Sequence, residues 1–341
     1  MQAIILEQPG QLRRIHRAEP GAPGKGEALV RIKHVGVCGT DLHAYQGNQP
    51  FFTYPRILGH ELGVEILAVN SNEQGVSVGT YCAVEPYFHC GRCPACRRGK
   101  PNCCLNIQVF GVHIDGGMRE FAHIPIRYLH PSRILSSEQL ALVEPLAIGA
   151  HAVSRGQLQE GERVLVVGAG PIGLAVTQFA LLAGAQVLVL DVSTQRLQFC
   201  QQRWPQVICL HGQDDPRTTL HKLFGDDFPT AVFDATGNPQ SMHASFSYAA
   251  HGGRLLFVGL FQGDITFNDP EFHRRELTLL SSRNATSADF RRVINALEAG
   301  QIDLTPWITH RATPDTLIDV FPRWFDHDSG IIKAIVSLAP F

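Results

Sequence analysis

The chain has 341 residues, 44% of them hydrophobic and 18% charged, with 29 basic and 31 acidic side chains for a net charge of −2. That length exceeds a single core and fits two domains, and the composition is that of an ordinary globular protein. The only basic cluster, Arg97, Arg98 and Lys100, reads as a solvated turn, so the electrostatic footprint of a nucleic-acid binder is missing.

The N-terminal stretch MQAIILE lacks the charged-then-apolar pattern of a signal peptide. No run approaches the roughly 18 apolar residues of a membrane helix. Nine cysteines are present, five of them between Cys90 and Cys104. Such crowding suggests metal binding in a reducing compartment, and the cytoplasm is the expected location.

Residues 1 to about 145 read as β-rich. Alternating segments at 28–33 and 63–68 are separated by glycine and proline turns, and helical periodicity is scarce. Three clusters lie within this part. The first begins at Val37-Cys38-Gly39-Thr40-Asp41-Leu42-His43, which puts a thiol, a hydroxyl and an imidazole close together, and continues at Gly59-His60-Glu61. Cysteine sulfur and histidine nitrogen are ligand types that zinc prefers, and a catalytic site keeps three protein ligands and one open position. A buried cysteine and an unrelated His-Glu pair on a strand is the plainer alternative.

The second cluster is Cys90, Cys93, Cys96 and Cys104. Three thiols spaced by two residues, then a fourth after a short loop, can close a tetrahedral shell. A redox Cys-x-x-Cys pair is the rival. Four spaced thiols with Gly91, Pro94 and Gly99 between them favour structural zinc, and Cys103 is the alternative to Cys104 as fourth ligand. The third cluster, Glu144-Pro145-Leu146, is left unassigned by spacing, because a glutamate before proline commonly just starts a helix.

At about residue 147 the periodicity changes. An apolar strand at 163–167 runs into Gly168-Ala169-Gly170-Pro171-Ile172-Gly173, a helix is expected over 174–183, and a second strand over 186–191 ends in Asp191. This is the dinucleotide fingerprint in its required order, with glycines that let backbone N–H groups approach a pyrophosphate at a helix N-terminus. Asp191 lies 18 residues after Gly173, where a carboxylate can accept from a ribose hydroxyl. A 2′-phosphate there would meet like charge, about 4 kcal/mol at 4 Å and an effective dielectric of 20, which favours NAD over NADP even after discounting for solvent.

Further strand segments at 231–237 and 253–259 end in small residues that should border the cofactor. The expected cofactor contacts are Gly168, Gly170, Pro171, Ile172, Gly173, Asp191, Arg196, Thr236, Val258 and Gly259. A last strand is expected over 276–280 and a helix over 288–299.

Taken together, these motifs resemble the zinc-dependent medium-chain alcohol and polyol dehydrogenases over essentially the whole chain. Segments 47–56, 111–117 and 282–286 are similar to those of the hexonate branch, of the L-galactonate or L-gulonate 5-dehydrogenase type. The resemblance implies an α/β protein. A β-rich GroES-like catalytic domain would span 1–146, a Rossmann doubly wound parallel sheet 147–284, and a segment at 285–341 would return to the catalytic domain.

It implies two zinc ions per subunit and NAD. The catalytic ligands would be Cys38, His60 and Glu144, with Glu61 beside the metal as an outer or exchangeable ligand. Glutamate in place of a third cysteine matches the polyol and threonine dehydrogenase branch. Thr40 and His43 match the family's proton relay. Asn48, Phe51, Phe110, His113, Arg283 and Asn284 are substrate-pocket candidates by position, and Arg283 or His113 could pair with a substrate carboxylate. A homodimer or homotetramer, pairing through 276–280, would be usual.

The implied reaction takes a hydride from a secondary hydroxyl of a sugar acid to NAD, giving a keto acid, while the proton leaves through Thr40, a cofactor ribose hydroxyl and His43. Zinc can lower the pKa of bound water from 15.7 to about 7, roughly 12 kcal/mol in favour of the oxyanion. Polyol, threonine and simple alcohol dehydrogenases are the rival enzymes. An inactive NAD-sensing zinc scaffold is the rival outside catalysis, and it would need no relay.

Overall fold

The computed structural model describes residues 1–50, 52–70, 76–325 and 330–338. They form two compact units, Met1–Glu144 with Ala285–Phe341, and Pro145–Asn284. The helix Val143–Gly156 runs through the expected change of domain at 146/147, and Glu144 falls with the first unit.

The strand Glu27–Val37 is the spine of the first unit. It pairs antiparallel with Glu61–Val69, Phe121–Pro125 and Lys333–Ser337. Ala28, Val30 and Ile32 point inward at period two while Arg31 faces out. The ladder then shifts register between Ile32 and His34, and Val35, Gly36 and Val37 are all buried. A bulge of this kind re-aims a strand end, here the one that leads into Cys38.

Leu129–Ser132 and Tyr81–Val84 extend the sheet on one side, and Ile308–Ala312 extends it beyond Lys333–Ser337 on the other. The C-terminal segment therefore returns to the first unit as an inserted strand. A smaller sheet of Gln11–His16, Gln2–Gln8 and Arg56–Ile57 covers the same core, which includes Ile4, Leu6, Ile32, Ile57, Leu62, Ile66 and Phe321. The helix expected over 288–299 lies at Ser287–Glu298, started by a capping box between Thr286 and Asp289.

In the second unit six parallel strands run in the order Ile208–His211, Gln186–Asp191, Arg163–Val167, Ala231–Asp234, Arg254–Phe257, Thr278–Ser281. This is the doubly wound order of dinucleotide-binding sheets, and its direction reverses beside Arg163–Val167. The helix Pro171–Leu182 is buried from Gly173 to Ala180, which explains its nearly unbroken apolar sequence.

The last strand begins at Thr278, not at 276. Glu276 has a left-handed φ of 48° and donates its N–H to His273, so it closes the preceding helix Asp269–Arg274. Among the described residues no helix is long and apolar enough to cross a membrane, and all nine cysteines are free thiols.

Candidate metal centres and cofactor site

Strand register assembles the first centre. Gly36 pairs with Glu61, so Cys38, just past one strand end, adjoins His60, just before the start of the next. Ligand atoms of Cys38, His60 and Glu61 lie within 4.8 Å of one another. Asp41 ties the two loops together: its buried carboxylate accepts from the Cys38 N–H at 3.0 Å and the Gly59 N–H at 3.3 Å. It also stands 3.7 Å from His60 Nδ1. Burial works against charge on His60, but Asp41, Cys38 and Glu144 outweigh it and hold the imidazole well above its ordinary value.

Glu61 is completely buried and its Oε1 accepts from Lys333 Nζ at 2.5 Å. Lys333, on the inserted C-terminal strand, donates also to the Val37 carbonyl at 3.2 Å. A Cβ at Gly36 would lie 2.0 Å from Glu61 Oε2, so only glycine fits opposite this carboxylate. Glu144, in the first turn of its helix, is buried and accepts a hydrogen bond from the Tyr87 hydroxyl. Its carboxylate stands outside the three-residue group but within its field. Burial pushes Glu144 up to about 7, against the pull of His60 and the Tyr87 hydroxyl.

A metal fits these residues. His60 Nδ1 and Glu61 Oε2 are buried without a hydrogen-bond partner among the described residues, a costly state unless a further group binds there. Thiol, imidazole and carboxylate together are a zinc donor set.

The second centre is the lobe of Cys90, Cys93, Cys96 and Cys104, whose sulfurs also lie within 4.8 Å of one another. Cys93 caps the short helix Pro94–Arg97, and backbone N–H groups of Cys96 and Leu105 hold its thiol down to about 6. Burial and the neighbouring thiols push Cys96 up to about 12. Four such groups ionise together only around a cation. Cys103 is exposed and outside the group. Arg92, Arg97, Arg98 and Lys100 are exposed around the lobe and offset the net negative charge of four thiolates on one divalent ion. Cys93→Ser is expected to remove about one zinc equivalent per chain and to lower the unfolding midpoint, since closed sites of this kind contribute folding energy directly. Metal analysis with calorimetry checks it.

In the second unit the glycine turn sits at the carboxyl end of Arg163–Val167. Gly168 has φ +97°, Gly170 caps the helix, and a Cβ at Gly173 would lie 1.7 Å from the Gly168 carbonyl. Asp191 accepts from the Ala169 N–H at 2.6 Å and the Ser193 N–H at 2.7 Å. Two of about four acceptor positions on the carboxylate are used, which leaves room for a ribose hydroxyl. Arg196 reaches within 3.7 Å of where a Gly170 Cβ would stand, a cation over the turn. Thr236 lies against Gly168, and Val258 and Gly259 follow the next strand end, Val258 donating its N–H to Asp234 at 2.8 Å. Pro171 and Ile172 form the first turn of the helix.

Thr40 and His43 are three residues apart on the helix Gly39–Tyr45, half-buried and exposed respectively, and so share a face. Asn48 is exposed on the turn after that helix. Phe51 lies outside the described residues. Phe110 is 2% exposed in the core, tilted against Phe88 and under the Arg119 guanidinium, so its ring is committed to packing. His113 accepts from the Val109 N–H at 3.0 Å on its own turn. Arg283 and Asn284 belong to the second unit, where Asn284 has φ +51°.

Sequence reasoning missed Lys333 and Tyr87, each a lone residue far along the chain from its partner. It also missed Asp234, whose buried carboxylate accepts from Thr236, Ser241 and Ser245 and fixes the turn after its strand.

Two family models match the chain, the alcohol dehydrogenase GroES-like domain over residues 24–134 and the zinc-binding dehydrogenase domain over 171–299. The chain belongs to the zinc-binding alcohol dehydrogenase family: it is an α/β oxidoreductase with a GroES-like and a Rossmann part. It is similar to the L-galactonate-5-dehydrogenase of Escherichia coli K12, 42% identical over 99% of each chain. It is also similar to the 2-dehydro-3-deoxy-L-galactonate 5-dehydrogenase of Pseudoalteromonas atlantica, 31% identical over 93% of each. Among solved structures, the alcohol dehydrogenase RspB of E. coli CFT073, complexed with NADH, superposes with a TM-score of 0.91 at 30% identity over 99% of each chain.

Proposed function

We propose that the chain oxidises a secondary hydroxyl of a hexonate, of the L-galactonate or L-gulonate type, with NAD as hydride acceptor, giving a keto sugar acid. The observation that carries this reading is the group of half-buried Cys38 with buried His60 and Glu61, and Glu144 beside it, in a chain 42% identical to an L-galactonate-5-dehydrogenase.

Cys38, His60 and Glu144 hold the catalytic zinc, which when bound supplies Lewis-acid polarisation of the substrate hydroxyl. Asp41 fixes the backbone of both loops that carry the first two ligands. Thr40 accepts the hydroxyl proton as it gives up its own, and that proton leaves to water through His43, exposed one turn along the same helix. Asn48, Phe51, His113, Arg283 and Asn284 remain candidates for substrate selection, whereas the Phe110 ring is committed to core packing. Glycine-turn N–H groups and Arg196 hold the pyrophosphate, and Asp191 the ribose. The exposed edge strand Thr278–Ser281 is the proposed pairing edge of a homodimer.

An absorbance screen for NADH formation on galactonate, gulonate, sorbitol, threonine and ethanol, with zinc content measured alongside, tests the reading. Turnover led by a hexonate supports it; turnover led by sorbitol, threonine or ethanol overturns the substrate class. For the cofactor, Asp191→Ser is expected to raise use of NADP relative to NAD about tenfold, or about 1.4 kcal/mol. Absolute NAD turnover should fall as well, because the Ala169 and Ser193 bonds go with the carboxylate. An unchanged NADP/NAD ratio of kcat/KM would remove Asp191 from cofactor selection.

A further inference from the structure

We infer that Tyr87 is a positioning residue for Glu144: its buried hydroxyl occupies Oε1 of that carboxylate and leaves the other oxygen to the metal. The inference rests on the reading of Glu144 as a zinc ligand.

The hydrogen bond joins side chains 57 residues apart in a buried setting, with Tyr87 3% and Glu144 5% exposed. Water does not compete for either group. The phenol ring has little freedom to leave. It stands on the short strand Tyr87–Phe88, paired with Gln108–Val109, and meets Phe290 edge-on at 6.4 Å and 75°. Phe290 is fully buried on the helix Ser287–Glu298 and stacks on His130 at 4.9 Å and 21°. His130 Nε2 is 3.0 Å from Glu85 Oε2, which also accepts from the Ser287 hydroxyl at 2.6 Å. Tyr87 is thus fixed by its strand partner and by the braced Phe290 ring, groups that have no step in the reaction.

A second contrast concerns the two carboxylates of the centre. Each is held at Oε1 by one side chain from outside the ligand group, but the tethers differ in charge. Glu61 faces the Lys333 ammonium at 2.5 Å, which offsets its negative charge. Glu144 instead accepts from an uncharged phenol, which orients the carboxylate without pairing its charge.

The test is zinc affinity, read by competition with a chromophoric chelator, together with the visible spectrum of the cobalt-substituted protein. It compares wild type, Tyr87→Phe, Glu144→Ala and the double variant. Glu144→Ala identifies the zinc equivalent that belongs to this centre by weakening it. Tyr87→Phe is expected to weaken the same equivalent about 10–100-fold, the usual effect of removing a hydrogen bond behind a metal ligand, and to shift the cobalt spectrum. In the Glu144→Ala background the phenylalanine substitution should do nothing more.

Wild-type affinity and spectrum in Tyr87→Phe, with Glu144→Ala still weakened, overturn the inference and leave the ligand reading standing. An equal loss in both backgrounds marks a packing role and overturns it too. No effect of Glu144→Ala removes the ligand reading itself. Should the phenylalanine variant not fold, Tyr87→Gln keeps a neutral donor. It is expected to hold zinc more tightly than Glu144→Ala, and a loss as large as that variant's sinks the inference.

Discussion

Lys333→Met is expected to cost about 3–5 kcal/mol of folding stability, the usual result of leaving one member of a buried ion pair without the other. Glu61 is wholly inaccessible and Lys333 only 2% exposed, so neither charge can turn to water when its partner is removed. Burial alone would drive Lys333 to lose its proton. The Glu61 and Cys38 charges beside it instead hold its ammonium above the ordinary lysine range. The double variant Lys333→Met with Glu61→Leu should recover most of the lost stability, since replacing both members of such a pair by apolar groups is often neutral. Denaturant unfolding of the first unit's signal measures both. A single variant as stable as wild type would show that the pair is not intact in solution, and a double variant worse than the single would place Glu61 in some other stabilising bond.

His60→Ala is expected to lower kcat by about 10³-fold or more while leaving dinucleotide binding unchanged. Lewis-acid polarisation is worth several kcal/mol of barrier, and each 1.36 kcal/mol is tenfold in rate. The binding half of this expectation follows from where the residues lie. Gly168, Gly173 and Asp191 belong to a unit folded around its own core of Leu165, Leu188, Val232 and Leu255, and Asp191 is held by the N–H groups of Ala169 and Ser193 within it. His43→Ala should cost less, because a proton exit can be shared with water, and added imidazole should return part of the rate. Stopped-flow rates with a titration of NADH fluorescence separate the two effects. Full turnover in His60→Ala would remove His60 from the metal.

What was legible in the sequence follows how local each feature is. The glycine turn and Asp191 declare themselves because strand, turn, helix and strand are contiguous, and each glycine answers one steric demand. The four-cysteine lobe is equally local, and burial of Cys104 against the exposure of Cys103 chooses between neighbours that spacing could not separate.

The catalytic centre is different. Cys38 and His60 meet through the Gly36–Glu61 register, which depends on a bulge between Ile32 and His34 that no residue pattern announces. Glu144 looked like a helix-start residue, and it is one. Its proximity to His60 comes from where that helix begins in space. Lys333 is illegible for a stronger reason: a single lysine in an apolar strand reads as a misplaced charge until Glu61 is seen opposite it. At Glu276 the sequence suggested a strand, and a left-handed backbone instead ends a helix there.

Asp41 binds the N–H groups of Cys38 and Gly59 with its two oxygens, so it fixes the spacing of the two loops that carry Cys38 and His60.

The strand Lys333–Ser337 also sets the order in which the enzyme can come into being. Lys333 bonds Glu61 and Val37 across 272 and 296 residues of chain. During synthesis every residue of the cysteine lobe and of the dinucleotide sheet leaves the ribosome before this lysine does. Until it arrives, the spine strand has an open edge beside Val37 and Glu61 has no cation. The catalytic pocket is therefore among the last parts of the molecule to be finished. A chain cut short by a dozen residues would carry both cysteine and nucleotide motifs intact and still lack a completed centre.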